Sequence, residues 1–279
     1  MYNKTYNTGE KMNILITIDK GYLNVRCVML KSLLLCHPDT EFTVYVLNSS
    51  LNSEDFATMK QSLPSKRITI VDVKAGKDLL ADAPVTERYP KEMYYRIFAA
   101  AFLPDNVDRV LYLDPDLVVI KPLYSLYSID LNGFYFAAAS HVGKFLTNLN
   151  ALRLQTEENT PYINSGVMMI NLRLLRKEQD FRQVFDYISK NHRALILPDQ
   201  DVISAVYGNK ILLINPYIYN MNDRLLILPG GIAAGITPSW VEENSAIIHY
   251  FGRNKPWKKS YKGVLGSYYR KVADTPLSE

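Results

Sequence analysis

The chain has 279 residues, of which 48% are hydrophobic and 22% charged, a composition ordinary for a soluble globular protein of one or two domains. No apolar run approaches the roughly 18 residues that a membrane-spanning helix needs, and the N-terminal segment lacks the apolar core of a signal peptide. These two features favour a cytoplasmic protein. The net charge of +4 indicates affinity for anions, and because no nucleic-acid-binding motif is present we do not expect nucleic acid as a partner.

The first half of the chain alternates between strand and helix patterns. Strands are predicted at 13–18, 42–47, 67–73 and 109–113, and helices at 22–36, 53–63 and 91–102, the second of them capped by Ser53. This alternation favours a mostly parallel, Rossmann-like sheet with helices on both faces. Ligands of such sheets bind beyond the carboxyl ends of the strands, where Asp19 and Asp114 each follow an apolar run.

The second half of the chain is less regular. Strands are predicted at 117–120, 134–139 and 167–171, and a helix at 181–191. The polar stretch between them, from 144 to 160, is expected to be a loop that acts as a lid. No linker rich in glycine, serine or proline divides the chain. We therefore expect a single domain from 12 to 257, a flexible leader at 1–11 and a basic-aromatic tail at 258–279.

The segment from 109 to 116 is an apolar run that ends in two carboxylates. Side chains at positions i and i+2 of extended backbone point the same way, so Asp114 and Asp116 are expected to converge on one ligand. Pro115 has no N–H, and strand pairing should therefore stop there. Two anionic oxygens suit a divalent cation and, with it, a phosphate. A bare Asp-x-Asp pair is more often a strand end followed by a polar turn.

Three further segments combine an apolar run with polar groups, at 13–19, 197–203 and 247–257. The last of them offers His249, then Gly252, which permits close backbone approach, and then Lys255, which suits phosphate oxygens. The cluster at 199–201 also fits the first turn of a helix.

Together these segments resemble the family 8 glycosyltransferases, retaining enzymes of the GT-A fold that use nucleotide-sugar donors. Within that family the chain is most similar to bacterial lipopolysaccharide galactosyl- and glucosyltransferases. The likeness spans about residues 12 to 257 and depends on five motifs in the family's order, at 27–41, 110–116, 162–172, 199–201 and 249–257. It implies a GT-A fold and transfer of glucose or galactose from a UDP-sugar to a glycan or glycolipid acceptor.

The resemblance also implies a metal and nucleotide site. Asp114, Asp116 and His249 would hold the metal, and an imidazole beside carboxylates shifts the preference from Mg²⁺ towards Mn²⁺. The nucleotide contacts that the resemblance implies are Thr17, Asp19, Tyr22, Asn24, Asp114, Pro115, Gly252 and Lys255. Lys20 and Gly21 stand where the family usually has an acidic or polar residue and an asparagine, which leaves the identity of the base open.

For the donor sugar, the resemblance points to Arg96, Asn164, Asp199 and Gln200. The alternative for Arg96 is a solvated charge on a helix. Gln200 matches the family's position beneath the anomeric carbon, and its neutral amide is a poor nucleophile. We therefore favour displacement on the front face, with Gln200 stabilising the positive charge on the sugar. Asp201 is the alternative catalytic residue, as a nucleophile.

Other functions fit parts of the sequence. A phosphatase of the haloacid-dehalogenase type would use Asp114 as its nucleophile, but the later Gly-Asp-x-x-x-Asp motif of that family is absent. A self-glucosylating protein similar to glycogenin fits the 20 tyrosines, and a non-catalytic nucleotide-sugar binder fits the departures at Lys20 and Gly21. The basic-aromatic tail fits an ordinary solvated terminal helix, which we favour, or a peripheral contact with an anionic membrane.

Overall fold

The computed structural model of the protein describes residues 11–18, 25–76 and 92–277. Its strands are β1 (Lys11–Thr17), β2 (Glu41–Asn48), β3 (Ile68–Lys74), β4 (Arg109–Leu113), β5 (Leu117–Val119), β6 (Phe136–Ala139), β7 (Asn164–Asn171), β8 (Ile211–Ile214) and β9 (Ile247–His249). Its α-helices are α1 (Val25–Cys36), α2 (Ser53–Gln61), α3 (Glu92–Tyr95), α4 (Ala99–Phe102), α5 (Tyr124–Tyr127), α6 (Lys144–Leu154), α7 (Leu172–Glu178), α8 (Phe181–Asn191), α9 (Pro198–Tyr207), α10 (Pro216–Tyr219), α11 (Asp223–Ile227), α12 (Pro229–Ala233), α13 (Pro238–Asn244) and α14 (Gly266–Asp274). Turns of 3₁₀ helix lie at Arg96–Phe98 and Gly208–Lys210.

Within these residues, seven strands form one sheet in the order β3-β2-β1-β4-β7-β6-β8. The pairs β1–β2, β2–β3, β1–β4 and β6–β8 are parallel, whereas β7 is antiparallel to both of its neighbours. The prediction of a mixed, mostly parallel, Rossmann-like sheet is confirmed. Because β7 runs in the opposite direction, its first residue, Asn164, lies at the edge where β4 ends and Asp114 follows.

Helices and loops cover both faces of the sheet. Ile14 and Ile16 of β1 belong to one buried cluster together with Leu33 of α1, while Leu15 belongs to a second cluster that includes Phe98. Successive side chains of a strand point to opposite faces, so a strand that is buried on both sides must be apolar at consecutive positions. The unbroken apolar run of β1 follows from this burial.

Most of the predicted elements are present with shifted ends, and the helix predicted at 181–191 matches α8. The prediction that Ser53 caps α2 was wrong. Asn52 is the cap, because its side chain accepts from the Asp55 N–H while the Asp55 carboxylate accepts from the Asn52 N–H. The helix predicted at 91–102 is interrupted, over its described part, by the 3₁₀ turn that begins at the buried Arg96.

The prediction of a loop from 144 to 160 was also wrong over most of its length, because 144–154 form α6. Gln155, the residue after this helix, caps it with a left-handed φ of 56°. Ala151 and Leu154 face the interior, whereas Phe145 and Leu152 are 75% and 78% exposed. The polar residues between these apolar positions concealed their helical spacing of three and four.

The C-terminal segment packs against the rest of the protein. Tyr269 and Val272 of α14 are buried together with Val118 of β5 and Ile248 of β9, which form a separate two-stranded sheet. The tail thus contains a helix, but one that packs on the core and is not solvated on all sides. Among the described residues, none of the helices has both the length and the apolar character needed to cross a membrane.

Candidate active site

A cleft of about 1530 Å³ opens at the edge of the sheet where β4 ends and β7 begins. Its polar and charged lining consists of Arg96, Asp114, Asp116, His141, Tyr162, Asn164, Ser165, Asp199, Gln200, Asn222, Arg224, Arg253, Lys255 and Lys258. Apolar side chains, among them Leu146 of α6 and Ile227 of α11, complete its walls. The cleft thus gathers residues from distant parts of the chain at one place.

Asp114 and Asp116 line this cleft, and the fully buried His249 lies against them. One ligand atom from each of the three lies within 4.8 Å of the others. The His249 Nε2 atom is 3.2 Å from the Asp116 Oδ1 and 3.6 Å from the Asp114 Oδ2. Two local features produce this arrangement: main-sheet pairing stops before Pro115, and the antiparallel register of β5 with β9 sets Leu117 opposite His249.

Lys255 belongs to the same cluster. Its ammonium group donates to the Asp116 carboxylate and also to the Tyr250 carbonyl oxygen, at 2.9 Å in the latter case. Burial by itself would raise the pKa of Asp116, but His249 and Lys255 outweigh it and hold this pKa well below its usual range. Asp116 is therefore an anion at neutral pH, in spite of its burial.

Gly166 makes room for the cluster. A Cβ atom at this position would lie 2.2 Å from the His249 Cε1 and 2.6 Å from the Asp114 Oδ2. The Gly166 carbonyl also accepts from the Asp114 N–H, at 2.8 Å. The sequence identified this glycine only as part of a motif, because its purpose depends on contacts with two distant segments.

Arg96 is the central cation of the site. Its Nη1 atom is 3.1 Å from both the Asp114 Oδ1 and the Asp199 Oδ2, and its Cζ lies 4.3 Å from the centre of the Tyr112 ring. Its Nη2 donates to the Thr17 hydroxyl, at 3.4 Å. The residue is only 6% exposed, so the alternative of a solvated helix charge is wrong. Burial opposes its charge, but these neighbours raise the pKa of Arg96 above its ordinary value.

Asn164, Asp199 and Gln200 form the wall beside Arg96. The Gln200 Oε1 accepts from the Asn164 Nδ2 at 3.0 Å and from the Ser165 N–H at 3.4 Å. The Asp199 carboxylate accepts from the Ser165 hydroxyl at 2.6 Å. Burial raises the pKa of Asp199, an effect that the Arg96 charge opposes. The sequence-predicted sugar contacts are thus neighbours in space.

Asp201 differs from these residues because it is fully buried and does not line the cleft. Its two oxygens pair with the Arg153 guanidinium at 2.8 and 2.9 Å, and Oδ1 accepts from the Tyr162 hydroxyl at 2.8 Å. The backbone N–H groups of Ile196 and Leu197 also donate to Oδ2. These contacts hold Asp201 at the start of α9 and engage both of its carboxylate oxygens.

The remaining predicted nucleotide contacts divide into two groups. Asp19, Tyr22 and Asn24 lie outside the described residues. Gly252 lines the cleft and has a φ of 85°. Thr17 is the last residue of β1, and Pro115 stands between Asp114 and Asp116. The sequence reasoning missed Asn220, whose Oδ1 lies 2.9 Å from the His249 Nδ1, because nothing in its local pattern sets it apart from other asparagines.

Comparison with known proteins identifies the family. The description of the matching family is Glycosyl transferase family 8, and the match covers residues 13–260. The chain belongs to this family. It is 26% identical to a lipopolysaccharide 1,2-glucosyltransferase of Escherichia coli, over 94% of this chain and 78% of that protein. It is 25% identical to a lipopolysaccharide 1,3-galactosyltransferase of Salmonella typhimurium, over 90% of this chain and 74% of that protein.

Solved structures show the same fold. The galactosyltransferase LgtC, in complex with donor and acceptor sugar analogues, matches with a TM-score of 0.79 and 22% identity, over 96% of this chain and 98% of that one. The glycosyltransferase GlyE of Streptococcus pneumoniae matches with a TM-score of 0.69 and 21% identity, over 95% of this chain and 61% of that one. This chain therefore has the GT-A fold that its resemblance to family 8 implied.

The contacts of Asp201 predict what its substitution will do. Asp201→Asn should lower the free energy of unfolding by on the order of 3 kcal/mol, because it leaves the Arg153 charge without its partner. At temperatures where the Asp201→Asn protein stays folded, its donor turnover should persist. Arg153→Met is the matched control, since it breaks the same pair from the other side and should give similar results. Loss of all turnover in a folded Asp201→Asn protein, with Arg153→Met active, would contradict the structural role. The measurements are urea unfolding and donor turnover.

Proposed function

We propose that this family 8 enzyme is a metal-dependent, retaining hexosyltransferase that moves glucose or galactose from a UDP-sugar to a glycan or glycolipid acceptor. The observation that carries the proposal is the convergence of Asp114, Asp116 and His249 beside a cleft lined by further charged groups. The sugars named for the Escherichia coli and Salmonella relatives support a hexose donor and an acceptor of the lipopolysaccharide type.

The chemistry of the donor set fits a divalent cation. It combines two carboxylates with one imidazole, a set that suits Mn²⁺ and also accommodates Mg²⁺. The space left by Gly166 supports this assignment, since any larger residue would displace His249 and Asp114. When bound, the cation would offset the negative charge that develops on the diphosphate leaving group. Asp114, Asp116 and His249 are the residues that would hold it.

Lys255 and Gly252 are the proposed diphosphate contacts. Lys255 is a buried ammonium group beside the metal cluster, where it suits phosphate oxygens. Gly252 has a backbone conformation that residues with a Cβ rarely adopt, which favours close approach of its N–H to a ligand. We propose Asp19, Tyr22, Asn24, Thr17 and Pro115 for the nucleoside side of the donor, with the base itself open.

Arg96, Asn164, Asp199 and Gln200 are the proposed sugar contacts. We favour displacement on the front face of the sugar. The bond from the anomeric carbon to the phosphate oxygen breaks, the acceptor oxygen bonds to that carbon on the same face, and the acceptor's proton passes to the departing phosphate oxygen. Gln200 supports this route because it is a neutral amide held by Asn164 and Ser165. The full set of contacts around Asp201 argues against a covalent intermediate there.

The test is donor turnover in the presence and absence of metal. Purified protein is incubated with Mn²⁺ and a panel of UDP- and other nucleotide-sugars without acceptor, and the products are read by mass spectrometry. Slow release of UDP and free hexose supports the proposal. Self-labelling of the protein would indicate a glycogenin-like reaction, release of inorganic phosphate a phosphatase, and binding without turnover a non-catalytic module.

In the same assay, Asp116→Asn should abolish turnover and weaken Mn²⁺ binding by about tenfold or more, equivalent to about 1.4 kcal/mol or more. The substitution keeps the side-chain volume but removes a metal-binding anion. Asp72→Asn, which removes a carboxylate from β3 outside the cleft lining, is the control and should leave both unchanged. Full turnover in excess chelator would contradict the metal assignment.

Lys255 should contribute to donor binding. Lys255→Ala should weaken UDP-sugar affinity roughly ten- to a hundredfold, because one charge-assisted bond contributes about 1.5–3 kcal/mol, and Lys255→Arg should recover part of the loss. Lys262→Ala removes an exposed positive charge and serves as the control. The measurement is calorimetric titration with the donor. Equal affinities in the two alanine variants would remove Lys255 from the diphosphate site.

A further inference from the structure

A line of polar side chains connects the metal cluster to Gln200. The His249 Nδ1 lies 2.9 Å from the Asn220 Oδ1, the Asn220 Nδ2 lies 3.0 Å from the Asn164 Oδ1, and the Asn164 Nδ2 lies 3.0 Å from the Gln200 Oε1. Asn220, in the middle of this line, is completely buried. Each of its side-chain polar atoms therefore has a partner, one on the metal side and one on the sugar side.

Two backbone N–H groups fix the direction of these hydrogen bonds. The Gly166 N–H donates to the Asn164 side chain at 3.2 Å, and the Ser165 N–H donates to the Gln200 side chain at 3.4 Å. A backbone N–H can only donate, so the side-chain atoms that face it must be the amide oxygens. The Asn164 oxygen then requires the Asn220 NH₂ group as its neighbour, and this leaves the Asn220 oxygen for His249.

His249 must therefore carry its proton on Nδ1. The Nε2 atom, which is left to bind a cation, points at the carboxylates of Asp114 and Asp116. Neutral imidazole with a free nitrogen is the form that binds metals, and the hydrogen bond of the other nitrogen decides which form is present.

The fold holds the backbone of Asn220 in place. Met221 donates its N–H to the Ile247 carbonyl at 3.0 Å and accepts from the His249 N–H at 2.7 Å. The Nε2 atom of the His141 ring lies 2.8 Å from the Asn220 carbonyl oxygen. The chain at Asn220 is thus tied both to β9, which carries His249, and to the wall of the cleft.

We propose that Asn220 is a positioning residue that sets the tautomer of His249 for metal binding and, through Asn164, fixes the amide of Gln200. In this arrangement one buried side chain aligns the metal site and the sugar site together. The inference rests on the proposed function in one respect only, that Asp114, Asp116 and His249 form a metal site. The tautomer itself is a property of the protein alone.

The first test is nitrogen NMR of ¹⁵N-histidine-labelled, metal-free protein at pH 8, with His249→Gln to assign the ring signals. We expect a proton on the His249 Nδ1, whether or not Nε2 also carries one. An Nε2–H tautomer in the unmodified protein would overturn the inference, whether or not any variant folds. If no metal bound to the unmodified protein, the proposed function would fail, and this measurement would still decide the role of Asn220.

The second test uses variants, with Mn²⁺ affinity and donor turnover as readouts beside the tautomer. Asn220→Ala should mix the His249 tautomers and weaken Mn²⁺ binding by about 10- to 100-fold. Asn220→Asp can still accept from Nδ1 but cannot donate to Asn164, so it should keep the tautomer and the metal while turnover falls. Asn171→Ala removes a half-buried asparagine at the far end of β7 and should leave all three readouts unchanged. Unchanged tautomer and metal affinity in Asn220→Ala would refute the role.

Discussion

Mutual compensation of buried charges determines the architecture of this site. Asp114 and Asp116 come from one segment and Asp199 from another, and charges removed from water are costly unless they are paired. Arg96 bridges Asp114 and Asp199, and Lys255 pairs with Asp116. Each carboxylate thus depends on a cation that is distant in sequence, so the site can form only when the whole sheet edge is assembled. The ion pair between Asp116 and Lys255 can also be replaced when the donor binds. A bound cation would then pair with Asp116, and the diphosphate would pair with Lys255.

The direction of one strand makes this assembly possible. β7 runs against its neighbours, so its first residues meet the point where β4 ends. Those first residues are small or amide-bearing, and Gly166 admits His249 while Asn164 reaches Gln200. Neutral amides therefore make one connection between the metal cluster and the sugar-binding wall, and the charged Arg96 makes the other. The amides position both groups without adding charge to a buried region. This division fits the proposed chemistry, in which charge develops only as the glycosidic bond breaks.

Much of the fold and part of the site could be predicted from the sequence. Apolar runs identified the strands, and the carboxylates at 114 and 116 with His249 were recognisable because they follow such runs directly. Arg96 was recognised only through resemblance, since helical spacing cannot distinguish a buried arginine from a solvated one. The helix at 144–154 was missed because the polar residues between its apolar positions conceal the helical period. Asn220 had no local signal and Gly166 was recognised only as part of a motif, because their importance comes from atoms that lie tens of residues away along the chain.

Pulsed electron paramagnetic resonance of the Mn²⁺ complex with UDP tests the metal centre most directly. The nuclei that couple to the ion identify its ligands without reference to turnover. We predict nitrogen coupling from one imidazole together with phosphorus coupling from the diphosphate, and loss of the nitrogen coupling alone in His249→Gln. Phosphorus coupling without nitrogen coupling in the unmodified protein, or a nitrogen signal that survives the substitution, would contradict a centre built from Asp114, Asp116 and His249.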